Sequence, residues 1–190
     1  MCGRLNVIAD PMSHWVSDLL NIDFRTTTNN DLRPTDAVDV IARSVDSVSS
    51  VRTSWGIRPS WSKKIIINAQ SETAAVKRTF RTAFTYHRCL VPCTGWYEWK
   101  SDQSGTKQKF SFSNSMNTPY LMGGIFFEGE KGFELVTLTT KPNAKCAEIH
   151  KRMPVLISPD KVSLWLYGDV QDVMPMVEPI DGDLIRISGV

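Results

Sequence analysis

Position 2 of the chain is a cysteine, in the opening stretch MCGR. A small second residue permits removal of the initiator methionine. Cys2 would then carry a free α-amine of pKa about 8 beside a thiol of pKa about 8.5, both partly nucleophilic at neutral pH. With an aldehyde, the amine of such a 1,2-aminothiol forms an imine, and the thiol closes on it to give a stable five-membered thiazolidine. An internal cysteine cannot do this, because its nitrogen is an amide. Taken by itself, a cysteine at position 2 is also compatible with chance.

Three other stretches hold residues suited to proton transfer or polar positioning. In GWYEWK, a strand would put Trp96, Glu98 and Lys100 on one face and Tyr97 and Trp99 on the other. An apolar setting would hold the Glu98 carboxyl nearer neutrality, where it can act as a general acid or base; the alternative is an edge-strand Glu facing water. In EIHKRMP, His150 precedes Lys151 and Arg152. It is a proton-transfer candidate near pH 7, or else a structural histidine at an element boundary; Arg152 could hold a phosphate. In IINAQSET, Asn68 could hold a sugar or an oxyanion, since its amide both donates and accepts, and Glu72 follows four residues on. Both could equally be turn and capping residues.

These residues need elements to place them. DPMSHWVSDLL reads as an amphipathic helix with Asp10 as its cap and Pro11 in its first turn. Residues 37–54 read as a hairpin and SWGIRPSW as a loop. KIIIN reads as a short buried strand ending at Asn68, and SETAAVKRTFRTAF as one helix capped by Ser71. RCLVP, GWYEWK, KFSFS, PYLMGGIFF and FELVTLTT read as strands, the last two paired across EGEKG, and LISPDKVSLWLYG as a second capped helix. Strands dominate the middle and helices flank them. The predicted class is therefore α+β, with a curved, largely antiparallel, barrel-like sheet.

The 190 residues suit one domain with a substantial core. No apolar run could span a bilayer and no secretory leader is evident, so an intracellular, cytoplasmic protein without membrane association is expected. Four cysteines make no disulfide framework; Cys89, Cys93 and Cys146 read as small buried hydrophobes, and neither a metal nor a cofactor is called for. Residues 51–100 carry nine Lys/Arg against Glu72 and Glu98, which suits an anionic partner such as a phosphate backbone, or a solvated face. Residues 168–190 carry five acids against Arg186.

MCGR, INAQSET, RCLVPCTGWYEWK and TTKPNAKCAEIHKRMPVLI occur in this order, with the cysteine fixed at position 2. Together they resemble the SRAP (SOS response-associated peptidase) family of abasic-site processing proteins, over residues 2 to about 166. The resemblance implies the SRAP fold over 1–190 and a substrate, an abasic site in single-stranded DNA, whose ring-opened form is an aldehyde. It implies a covalent bond from Cys2 to that aldehyde. Asn68 would position the sugar and the N-terminus, and Glu98 would serve Met1 removal and placement of the α-amine. His150 would serve sugar opening, β-elimination and crosslink reversal. It further implies DNA contacts by Arg4, Pro34, Trp61, Gln70, Arg78, Thr139 and Arg152. Gln70 stands where the family motif has arginine, which removes a phosphate contact, and Ser62 stands where some relatives have a second tryptophan. A protein acting on one lesion needs only one copy, and would sit on the nucleoid when bound, or in the nucleus of a eukaryote.

Two other functions are compatible with the sequence. A peptidase in which Cys2, as N-terminal nucleophile, acts with Asn68, Glu98 and His150 on peptide bonds would turn over unrelated peptides, unaffected by DNA. A noncatalytic reader of modified bases, binding through the basic segment and Trp61, would bind duplex DNA without need of Cys2.

Overall fold

The computed structural model describes residues 2–44 and 47–190. Met1, and with it the expected Met1 removal, lies outside them, as do residues 45–46 between the arms of the 37–54 hairpin. The elements run β1 (Leu5–Val7), α1 (Ala9–Leu20), β2 (Asn29–Leu32), β3 (Ala37–Arg43), β4 (Val48–Trp55), β5 (Asn68–Gln70), α2 (Ser71–Ala74), α3 (Arg81–Tyr86), β6 (Arg88–Cys93) and β7 (Gly95–Ser101). They continue with β8 (Lys107–Asn114), β9 (Tyr120–Gly129), β10 (Gly132–Thr140), α4 (Ala144–Ala147), β11 (Met153–Pro154), α5 (Val162–Tyr167), α6 (Val170–Val173) and β12 (Ile185–Gly189).

Five strands close on themselves. β3 pairs antiparallel with β4 and β6, β9 pairs antiparallel with β6 and β10, and β10 completes the ring by running parallel to β4. The ring is a small barrel, filled by side chains rather than open. At one end β10 extends beyond β4 and takes two further short partners, β5 in parallel and β11 in antiparallel. A second sheet, in the order β12-β8-β7-β1-β2, lies alongside. Its inner face is built from cross-strand pairs, Leu5 with Leu32 and Trp96, and Trp96 with Phe112, whose rings stack 4.8 Å apart. The inner faces of both sheets join one hydrophobic cluster. The α+β class and the curved, mainly antiparallel sheet are thus as expected, and the fold closes through one parallel pairing.

Two glycines permit close approaches. A Cβ on Gly95 would lie 2.1 Å from the Phe112 carbonyl oxygen, so only glycine lets β7 start against β8 there. A Cβ on Gly123 would press on the Trp165 ring at 3.0 Å, where α5 covers β9. Arg88 ties this side together from a buried position. Its guanidinium donates to the carbonyls of Phe84 and Thr85 at the end of α3, and to those of Trp165 and Gly168 at the end of α5. A cation there satisfies helix-end carbonyls that have no partner within their helix.

Several local expectations change. KIIIN is not a strand ending at Asn68: Ile66 makes an isolated bridge to Ile57, and the strand begins at Asn68, where β5 meets β10. The 71–84 helix is two short helices. Ala74 and Phe80 are both buried, yet six residues apart they would lie about 120° apart around a continuous helix, and the chain turns between them. Ser71 does not cap; it is the first residue of α2, and its hydroxyl donates to the Thr139 carbonyl at 3.0 Å. Asp10 keeps extended φ and ψ, so regular helix starts at Pro11 as expected. The acidic segment 168–190 is not a loose tail, since β12 pairs along β8 over five residues. Cys89, Cys93 and Cys146 are free and buried; burial pushes the Cys93 thiol up to about 12 and the Cys146 thiol to about 11. Among the described residues no helix is long and apolar enough to cross a membrane.

Candidate active site

Cys2, Asn68, Glu98 and His150 come from four distant stretches and meet where the two sheets join. β1 pairs with β7 through Leu5–Trp96, and the Tyr97 amide donates to the Arg4 carbonyl at 3.0 Å. Continued by one residue, that antiparallel register sets Gly3 opposite Glu98 and brings Cys2 beside it. Cys2 is only 1% exposed. Glu98, on the same β7 face as buried Trp96, is 3% exposed. The period-2 reading therefore identified its face correctly, and the face is interior.

Asn68 opens β5 opposite Thr137 of β10. Its side-chain NH2 donates to the Cys2 carbonyl at 2.9 Å, while its Oδ1 accepts from the Thr137 hydroxyl at 2.5 Å. His150 is carried by the turn after α4. The Asn143 side chain caps that helix by accepting from the Cys146 amide at 2.9 Å, and the His150 amide donates to the Cys146 carbonyl at 3.0 Å. The Nδ1 of His150 lies 3.1 Å from the Arg152 amide, 3.0 Å from the Arg152 carbonyl and 3.8 Å from Oε1 of Glu98. Nδ1 accepts from the amide in one tautomer and donates to the carbonyl in the other.

Burial sets the electrostatics. It pushes the Glu98 carboxyl up to about 7, from an ordinary value of 4.5. It lowers His150 below its ordinary 6.5, so the imidazole is neutral at pH 7. It raises the Cys2 thiol well above its usual range, and the neighbouring Glu98 carboxylate and Cys93 add to the rise. At neutral pH the cluster thus offers a carboxyl poised between its two protonation states, a neutral imidazole and a thiol holding its proton. Such groups can pass protons in either direction.

The remaining candidates divide. Trp61 is 68% exposed, and Gln70 and Arg78 are exposed as well; Pro34 is half-buried. Arg4 and Arg152, expected to grip an anion, each already hold a carboxylate. Arg4 pairs with Asp31 and lies 5.5 Å from the Trp99 ring centroid. Arg152 forks onto both Glu72 oxygens at 2.7 Å and donates to the Thr139 carbonyl at 2.5 Å. Glu72 takes both terminal nitrogens of Arg152, whereas Asp31 takes one nitrogen of Arg4. Thr139 is 2% exposed and its hydroxyl turns inward to the Ala69 carbonyl at 3.3 Å, so it braces the site instead of facing a ligand. Asp31, Glu72 and Thr137 were missed as site residues. The sequence marks Glu72 only as a turn or capping residue, and nothing local in it marks the other two. The basic middle is also less available than its charge suggests, since Arg88 is buried and Arg52 holds Asp39.

Comparison with known proteins places the chain among relatives of one family and fold. The family model described as SOS response associated peptidase (SRAP) matches residues 1–190. Abasic site processing protein YoqW of Bacillus subtilis is 31% identical over 142 residues, which cover 68% of this chain and 63% of that protein. Abasic site processing protein YoaM of the same organism is 34% identical over 122 residues, covering 59% of this chain and 54% of its own. The matches thus span less than two thirds of these relatives' length. The crystal structure of a protein from Bordetella bronchiseptica shares the fold, with a TM-score of 0.84 at 21% identity, over 100% of this chain and 99% of that one.

Proposed function

The chain belongs to the SOS response associated peptidase (SRAP) family, and on that premise we propose that it processes abasic sites in single-stranded DNA by bonding to them covalently through Cys2. One observation carries the reading most: residues 68, 98 and 150 converge on the second residue of the chain, with the Asn68 amide on the Cys2 carbonyl at 2.9 Å. A site built around a chain terminus suits chemistry that only a terminus has.

Water hydrolyses the Met1–Cys2 peptide bond, releasing methionine and freeing the Cys2 α-amine; this self-processing is the peptidase activity. The abasic sugar opens to its aldehyde, with neutral His150 relaying the proton between ring oxygen and hydroxyl. The α-amine attacks the aldehyde carbon and one water leaves, giving an imine. The Cys2 S–H adds across the C=N bond: sulfur bonds to carbon, the proton goes to nitrogen, and the thiazolidine closes with no further loss. Glu98, with a pKa near the working pH, takes and returns the protons of these additions. Asn68 fixes the carbonyl of Cys2, and so the direction of its amine and thiol. The imine can instead lose the 3′ phosphate by β-elimination, which is the associated lyase activity. Condensation, addition and proton transfer call on no cofactor.

Exposed Trp61 offers a ring for a base to stack on, and Arg78 a cation for the backbone. A single copy suffices, as one domain, and its place is on DNA, at a nucleoid or in a nucleus. The test is dependence on the aldehyde. A single strand bearing a natural abasic site is expected to give a heat-resistant adduct, and the same strand with a tetrahydrofuran in place of the abasic sugar none. Adduct from the tetrahydrofuran strand, or none from the abasic one, removes the reading.

A further inference from the structure

We infer that Thr137 is a positioning residue for this site, setting which end of the Asn68 amide faces Cys2; the inference rests on the reading above for its consequence in catalysis. Thr137 is fully buried in β10 and is the direct register partner of Asn68 across the parallel β5–β10 pair, so the two side chains share a face. The two ends of an asparagine amide are nearly the same shape and opposite in hydrogen-bonding character. A local device has to choose between them.

Counting lone pairs identifies the device. The Thr137 hydroxyl has one proton and two acceptors within reach, Asn68 Oδ1 at 2.5 Å and the Ile67 carbonyl at 3.2 Å. The Ile67 carbonyl has two lone pairs. Both are taken, by the Trp55 indole N–H at 3.1 Å and by the Thr137 backbone N–H at 3.0 Å. The hydroxyl proton is therefore driven onto Asn68 Oδ1. With Oδ1 held on that side, the NH2 must face the other way, onto the Cys2 carbonyl. A flipped amide would set Oδ1 against the Cys2 carbonyl oxygen, two acceptors face to face. Trp55, at 0% exposure, is thus part of the same setting, since it fills the acceptor that would otherwise draw the hydroxyl away.

Valine at 137 keeps the volume and strand preference of threonine and removes only the donor; serine keeps the donor. The decisive measurement is solvent exchange of the Asn68 side-chain NH2, followed by NMR on 15N-labelled protein. Protection is expected in the wild type and in Thr137→Ser, with faster exchange in Thr137→Val. Adduct formation at saturating abasic single strand is expected to slow about tenfold in Thr137→Val, the scale of one lost hydrogen bond, with the half-saturating strand concentration unchanged and Thr137→Ser restoring the rate. Equal protection of the amide in the wild type and Thr137→Val overturns the inference. So does a Thr137→Ser variant as slow as Thr137→Val. If Thr137→Val does not fold, failure of Thr137→Ser to keep the amide protected has the same force. A wild type that forms no adduct would sink the proposed function alone, because the amide exchange still decides the role of Thr137.

Discussion

Cys2→Ala is expected to abolish the heat-resistant adduct while leaving the imine pathway open. Alanine is small enough at position 2 to permit Met1 removal, so the variant still presents an α-amine that condenses with the aldehyde. What it lacks is the thiol that closes the ring. The intramolecular thiol acts at a high effective concentration, and its loss should lower the stable adduct by about 100-fold or more. Borohydride, which reduces an imine to an amine, should still trap the protein on the strand, and strand cleavage by β-elimination should persist. The side chain lost is small and buried, so the variant should unfold within about 1 kcal/mol of the wild type. Thermal melting separates that cost from the chemical effect. A heat-resistant adduct formed by Cys2→Ala at the wild-type rate would mean that another nucleophile forms the bond.

Glu98→Gln should make the protein more stable and less active. In the folded chain burial lifts the Glu98 carboxyl from 4.5 to about 7, so between those values the folded state holds more protons than the unfolded state. The free energy of unfolding then falls as pH rises through that window; the contribution is fully present below about pH 4.5 and lost above pH 7. Glutamine keeps the shape and has nothing to ionise. At pH 8 it should therefore be more stable than the wild type by ~1–3 kcal/mol, and at pH 4.5 nearly equal to it. Adduct formation, measured on Glu98→Gln protein freed of Met1, should slow by about 100-fold, the usual reach of a general acid–base group. Urea unfolding at the two pH values, alongside adduct rates, checks both halves. A variant less stable than wild type at pH 8 contradicts the assignment of Glu98 as a carboxyl held near neutrality by burial. A stable position at which the natural residue costs stability is what a functional site produces.

How far the sequence led follows from the range of each signal. That Glu98 shares a face with Trp96 was legible because strand alternation is local; that this face is interior was not, because Tyr97 and Trp99 make the other face equally aromatic and Lys100 falls on the Glu98 side. The chemistry of Cys2 was legible because it depends on position 2 alone. The contact between Asn68 and Thr137 was not, because it depends on a parallel pairing between segments 69 residues apart, and no alternation pattern sets that register. For the same reason the hairpin of β3 and β4 could be read, while the parallel β4–β10 pairing that closes the barrel-like sheet could not. Arg4 and Arg152 read as available cations because Asp31 and Glu72 lie 27 and 80 residues away. The break between α2 and α3 was hidden by composition that suits one helix; burial of both Ala74 and Phe80 overrides it.

The central claim is that the working protein begins at Cys2 and that both its nitrogen and its sulfur bond to the lesion. The mass of the intact protein tests it most directly, before and after incubation with a single strand carrying one abasic site. The expected first mass is that of the chain short of its initiator methionine, and the second exceeds it by the mass of the strand less one water. A protein that keeps Met1 and still gains the strand, or one that lacks Met1 and gains nothing, contradicts the account.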